Sequence, residues 1–254
     1  MSAQPGIAVL PPSATQGWSA APRPGLWSRP LYADGEQGRF FGWIRFEAMA
    51  TTGLHRHLGP ASSYFVEGGL YDLQGEVVAG QMGINLSGAT HDAIAYRPTL
   101  FVARLEAPVI YLGGEGSAAG AVHTGARAGA IVHDNAEQLP DINVTVDALP
   151  MAPTSMPRIG RRMVFDYRGT GLERRCVQLQ MLPGAAVPWF RTRDRLDLFV
   201  LGGGIDVGGA EVGAGAIAAI DGDREVILSS PHGALVFAWS DAPVETAAAD
   251  PFGF

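Results

Sequence analysis

His55, Arg56 and His57 follow one another in the chain, and a third histidine, His91, returns 34 residues after His57. Side chains on a β-strand alternate between its two faces, so a His-x-His pair directs both imidazoles to one side. A third imidazole, carried back by a later strand, closes a facial set of three nitrogens around one metal ion. Neutral imidazole is the commonest metal ligand and suits Zn, Fe, Ni or Cu. Histidine is scarce here, six in 254 residues, and half of them sit on this one spacing. The competing reading is two edge-strand surface histidines and a third that merely begins a strand. His123, His133 and His232 fall in connections or turns and read as surface residues.

Three such ligands need a rigid scaffold of strands to hold them. Gly68, Gly69, Gly75, Gly80 and Gly88 punctuate the span between them, and β-branched or aromatic runs alternate with turn residues every ~8–12 positions. In the first half strands are predicted at Arg39–Met49, Ser62–Leu70, Glu76–Leu86, Leu100–Leu105 and Val109–Leu112. In the second they are predicted at Arg175–Met181, Asp197–Leu201, Gly215–Ile220, Glu225–Leu228 and Ala234–Trp239. No long stretch has a 3.6-residue apolar period, so helices are expected to be few and short.

The chain also repeats itself. A shift of 134 residues lays Phe65-Val66-Glu67-Gly68-Gly69 on Phe199-Val200-Leu201-Gly202-Gly203, Asp72 on Asp206 and Val102 on Val236. One residue of slippage later, Ala107-Pro108-Val109 falls on Ala242-Pro243-Val244. So long a period marks two copies of a domain. The expected organisation is an extended arm (1–29), a metal-binding domain (30–114), a connecting segment (115–158) and a second domain (159–254). The same shift puts Trp189, Arg191 and Glu225 at the places of His55, His57 and His91. The second domain is therefore expected to bind no metal and to fill its interior with side chains such as Val177, Leu179, Phe199 and Val200.

Composition narrows the function. Hydrophobic residues make up 47% of the chain and charged ones 17%, enough apolar surface for a sizeable core. A net charge of −7 argues against nucleic acid, which requires clustered Lys and Arg. Cys176 is the single cysteine, which excludes an intrachain disulfide and fits a reducing compartment; its apolar setting reads as a buried structural thiol. No run of about 18 apolar residues marks a membrane span, and no signal-peptide pattern is visible. A soluble cytoplasmic protein is expected.

Gly53-Leu54-His55-Arg56-His57, then Gly68-Gly69, Gly80, Leu86, Gly88 and His91, resemble the two motifs of the cupin superfamily. The resemblance spans most of residues 30–112 and returns weakly over 161–244, so the whole resembles a bicupin. With Tyr64 and the stretch Thr99–Leu112 it is similar to the 2,4'-dihydroxyacetophenone dioxygenase-like, or ChrR-type, branch. That resemblance implies an all-β fold of two tandem cupin (double-stranded β-helix, jelly-roll) barrels. It implies one divalent ion, Fe(II) first and Zn, Ni or Mn as alternatives, held by His55, His57 and His91. The implied reaction is oxidative C–C cleavage of a small carbonyl compound by O2, in a homodimer. The alternatives are a non-redox lyase, isomerase or hydrolase, and a ligand-sensing cupin without turnover.

The chain departs from the family pattern at a motif carboxylate. The Glu usual four or five residues after the second histidine is replaced by Ala61-Ser62, and the branch's later carboxylate falls near Gln74, with Glu76 two residues beyond. Gln74 is thus expected as a weak fourth ligand or a hydrogen-bond donor. Tyr64 shares the parity of the vacant Glu position and is expected to face the metal. Arg45 shares a strand face with Trp43 and Glu47, and is expected to anchor an anion or enolate; the opposite parity turns Ile44 and Phe46 inward. Gly202-Gly203-Gly204 precedes no helix and reads as hairpin turns, not a nucleotide loop.

Overall fold

A computed structural model describes residues 5–72, 75–112, 143–168, 174–246 and Phe252. The chain divides into two compact units. The N-terminal unit is Thr15–Asp147; the C-terminal unit is Met1–Ala14 together with Ala148–Phe254. Among the described residues every strand pairing is antiparallel, and helix amounts to one 3₁₀ turn, Val146–Ala148. None of the helices there is long and apolar enough to cross a membrane.

The first strand, β1 (Ile7–Leu10), belongs to the C-terminal unit. The N-terminal unit then runs β2 (Ser19–Ala20), β3 (Leu26–Ala33), β4 (Phe40–Phe46), β5 (His55–His57), β6 (Ala61–Glu67), β7 (Gly69–Asp72), β8 (Gly75–Val78), β9 (Gln81–Asn85), β10 (Thr90–His91), β11 (Thr99–Leu105), β12 (Val109–Tyr111) and β13 (Asn143–Thr145). Seven of these form one sheet in the order β13-β9-β6-β11-β4-β3-β2; a second sheet is β10-β5-β12, and β7 and β8 make a hairpin. The core is Phe46, Phe65, Leu70, Ala93, Ala95, Phe101 and Ala103. Trp43, Tyr64, Val102 and Arg104, on the opposite faces of the same central strands, are buried too. A sheet covered on both sides loses the polar–apolar alternation that reveals which face is which.

The C-terminal unit continues with β14 (Ala152–Pro153), β15 (Ile159–Asp166), β16 (Arg175–Met181), β17 (Ala185–Thr192), β18 (Leu196–Val207), β19 (Ala210–Gly213), β20 (Ile217–Ile220), β21 (Arg224–Ser230), β22 (Ala234–Ser240) and β23 (Val244–Thr246). Its sheet follows β14-β15-β16-β22-β18-β21-β17-β23, with β19 and β20 against β18. Residues 7–10, expected as part of an extended arm, are an edge strand paired to β20. Residues 19–33, expected to be mostly arm, form β2 and β3 of the N-terminal unit. Cys176 is fully buried, and His232 is exposed; His123 and His133 lie outside the described residues.

The two units share one strand plan, but the register differs from the sequence shift by one residue. Ser63 pairs with Ala103 in one unit as Leu198 pairs with Ala238 in the other, and Ala103 with Gly42 as Ala238 with Val177. All three give a shift of 135. Left-handed glycines agree: Gly68 at φ 75° matches Gly203 at φ 71°, each pressed on the strand beside it. A one-residue slip turns every strand side chain to the other face. Phe190, Thr192 and Val226 therefore occupy the places of His55, His57 and His91, not Trp189, Arg191 and Glu225. Val177, Leu179 and Val200 join the interior of this unit as expected. Phe199 instead lies on the other face of β18, its ring stacked 6.2 Å from that of Phe237.

Candidate metal centre

The three-stranded sheet of the N-terminal unit builds the centre. β5 lies in its middle, and the pattern buried–exposed–buried turns His55 and His57 inward and Arg56 out. β10 sets His91 directly opposite His55, and β12 sets Tyr111 opposite His55 on the other side. The outward Arg56 donates from Nε to Thr90 Oγ1 at 3.2 Å, a side-chain tie across β5 and β10. Gly53, at φ 73°, turns the chain just before β5, and its carbonyl accepts a 2.7 Å hydrogen bond from His55 Nδ1. That left-handed φ favours glycine, whereas a Cβ there, 2.6 Å from the Arg23 guanidine, would displace only the end of a flexible side chain.

The three Nε2 atoms converge. His57 Nε2 lies 3.2 Å from His55 Nε2 and 3.2 Å from His91 Nε2, and the three donor atoms fall within 4.8 Å of one another. Two nitrogens bound ~2.0–2.1 Å from one ion at octahedral or tetrahedral angles stand about 2.8–3.4 Å apart. The tautomers also fit. A carbonyl only accepts, so His55 carries its proton on Nδ1 and presents a lone pair at Nε2. His91 Nδ1 faces Asp72 Oδ2 at 2.9 Å and likewise leaves Nε2 toward the centre. Burial and the neighbouring His91 pull the His55 pKa down to about 4, and burial with His55 and His91 holds His57 well below the usual histidine value. Converging Nε2 lone pairs are the donor set a cation satisfies, and these residues fit a divalent metal.

The histidines open onto a cavity of about 170 Å³. Ile44, Phe46, Phe65, Leu70 and Phe101 give its apolar wall; Ser63, Asn85 and Tyr111 give polar points. Phe65 and Phe101 stack with centroids 4.6 Å apart. Among the described residues the wall holds one carboxylate, Asp72, and neither Lys nor Arg.

The other expected site residues are placed differently. Ile44 and Phe46 face the cavity, so Arg45 points away, its guanidinium over the rings of Trp18 (4.9 Å) and Trp27 (5.5 Å). Ser63 and Phe65 face the cavity, so Tyr64 is buried on the opposite side of β6, between Met82 and Val102 of the flanking strands. Glu76 points out and pairs with Arg97 at 3.3 Å. Gln74 lies outside the described residues. Two residues went unread as parts of the site. Asp72 drew notice only as a repeat match; its place at the end of the hairpin strand β7 is a tertiary fact. Tyr111 stands two positions after Val109 on a three-residue strand, and its ring lies 6.0 Å from that of His55 with the Arg23 guanidinium 5.2 Å above it.

Residues 9–108 match the family model of the ChrR cupin-like domain. No curated protein matches the sequence. Among solved structures, a proposed dioxygenase of Nostoc punctiforme PCC 73102 superposes with a TM-score of 0.71 at 11% identity, over 95% of this chain and 87% of that one. Oxalate decarboxylase of Lactobacillus farciminis, in a formate complex, gives 0.59 at 11% identity over 87% and 84% of the two chains. A variant of salicylate 1,2-dioxygenase of Pseudoaminobacter salicylatoxidans, in complex with gentisate, gives 0.59 at 11% identity over 83% and 73%. At such identities the likeness establishes the fold alone, an all-β arrangement of cupin-type barrels, and the family match covers residues 9–108, less than half of the chain.

Proposed function

We propose that the N-terminal barrel binds one divalent ion through His55, His57 and His91, and that the protein is a mononuclear non-heme Fe(II) dioxygenase. Its substrate is a small aromatic or hydroxy/diketo carbonyl compound, cleaved at the C–C bond beside the carbonyl. One observation carries this: three imidazole nitrogens, with His57 Nε2 lying 3.2 Å from each of the other two, meet at the wall of an apolar cavity that holds no cationic side chain among the described residues. The dioxygenases among the structural neighbours support the same reading.

Bound Fe(II) supplies O2 activation and polarises a coordinated carbonyl. The chain does the rest. Gly53 and Asp72 hold the two outer imidazoles by their Nδ1 protons, which fixes the rings and directs both Nε2 atoms to the centre. Phe46, Phe65 and Phe101 exclude water and accept an apolar body, while Ser63, Asn85 and Tyr111 offer the few polar contacts that orient it. Gln74, two residues beyond Asp72, is the proposed additional donor.

Anaerobic reconstitution with Fe(II), followed by O2 uptake on a panel of aromatic hydroxyketones and 1,2-diketones, tests the proposal. Stoichiometric iron and one O2 consumed per C–C bond cleaved are expected. Turnover with Zn(II) and without O2 would replace the oxidative reaction by Lewis-acid chemistry at the same site, and failure to retain any divalent metal would remove the site itself.

A further inference from the structure

We infer that Ala61, Ser63 and Ala93 set the size of the molecule this barrel admits, and that the space they leave takes an apolar, ring-sized ligand body. The inference rests on the proposed function only in treating the cavity as the substrate site. The two units supply the comparison, because their strands are in register. Ala61 and Ser63 on β6 stand where β18 carries Leu196 and Leu198, as their pairing to β11 and β22 shows. Ala93 exchanges backbone and side-chain hydrogen bonds with Thr52 as Leu228 pairs with Val187, which places Leu228 in its position. All three leucines are fully buried in the C-terminal core, whereas Ala61, Ser63 and Ala93 line the cavity.

Bulk has moved as well as vanished. Phe65 and Phe101 fill positions where the C-terminal unit has Val200 and Val236. The N-terminal barrel is therefore heavy at its aromatic rows and empty at the rows of Ala61 and Ser63, beside Gly83 and Ala103. Restoring the three leucines would add more atoms than a benzene ring holds. The volume agrees: about 170 Å³ here, against ~150 Å³ for an apolar protein cavity that binds benzene or xenon. Away from the histidines the described wall offers no Lys or Arg, so the part of the ligand that fills the rows of Ala61 and Ser63 is apolar.

Benzene and xenon serve as probes on the full chain loaded with Zn(II). The unsubstituted protein is expected to bind benzene, followed by calorimetric titration, and to show xenon in the cavity of pressurised crystals. Ala61→Leu and Ser63→Leu are each expected to weaken benzene binding at least tenfold while zinc stoichiometry and the thermal midpoint hold. Should one variant lose zinc and unfold, the other and Ala93→Leu carry the same test. Wild-type benzene affinity in a folded, zinc-loaded Ala61→Leu or Ser63→Leu protein would overturn the inference. So would a parent protein that binds zinc but neither probe. A parent that binds benzene, loses it in the variants and never binds zinc would uphold the size determinants and remove the metal reading.

Discussion

One strand plan carries two opposite interiors. In the N-terminal unit three imidazoles, an apolar wall and a cavity of about 170 Å³ occupy the space inside the strands. In the C-terminal unit the same positions hold Phe190, Thr192 and Val226, Leu196, Leu198 and Leu228 fill the middle, and the ring of Phe252 packs 5.3 Å from that of Phe190. Filling a small barrel with side chains and enclosing a ligand in it are the two stable solutions for such an interior. A fold of this kind does not create a site. A site appears where small residues leave room and polar residues are supported from outside, as Asp72 supports His91 and as Val207 at the matching position cannot.

The sharpest break of this contrast removes the central ligand. His57 Nε2 makes both 3.2 Å approaches, so His57→Ala is expected to abolish stoichiometric metal, read by elemental analysis, and turnover with it. Full metal occupancy in that variant would refute the site. In the filled barrel the matching lesion acts on stability instead. Leu198 is fully buried, so Leu198→Ala is expected to cost ~2–5 kcal/mol in chemical unfolding. Ser63→Ala, at the same place in the hollow barrel, should be close to neutral, and equal costs would show that the two interiors are packed alike.

Acid should separate the barrels next. With metal removed, His55 stays neutral in the folded chain down to about pH 4, while in the unfolded chain it takes a proton near its ordinary value of 6.5. The stabilisation is thus complete above ~6.5 and is lost as pH falls toward 4, by about 3 kcal/mol for this group. His57 acts in the same direction. Replacing His55 by its counterpart, His55→Phe, should flatten the difference in urea-unfolding free energy between pH 7.5 and 4. An unchanged slope would mean that His55 is not held neutral by burial.

The histidine spacing and the strand succession were legible because they depend on local order: alternation along β5, turn residues between runs, and scarce histidines on one motif. Parity and register were not. β4 and β6 are buried on both faces, so Trp43 and Ile44, or Tyr64 and Phe65, are equally apolar and nothing local says which turns inward. The sequence shift was anchored on glycine runs and an Asp–Asp match that fall one residue out of register. A slip of that size leaves every strand in place and exchanges its faces, which produced the charged counterpart set and the inward Phe199. Asp72 and Tyr111 are brought to the centre by sheet pairing alone, and no local pattern marks them.

The smallest expected effect is the most informative about how the centre is tuned. Asp72 Oδ2 accepts from His91 Nδ1 at 2.9 Å, and both side chains are largely shielded from solvent. The carboxylate does two separable things: it fixes the tautomer that points the His91 lone pair at the other two nitrogens, and it adds negative charge behind a neutral donor set. Asp72→Asn keeps an acceptor for the Nδ1 proton and removes the charge. Asp72→Val, which copies Val207 of the filled barrel, removes both. Loss of a hydrogen-bond partner behind a metal-bound histidine weakens affinity about 10–100-fold. Asp72→Asn is therefore expected near the low end of that range and Asp72→Val near the high end, by competition with a chelating dye. If the two variants bind equally well, orientation contributes nothing beyond charge, and if neither differs from the parent, Asp72 takes no part in holding the metal.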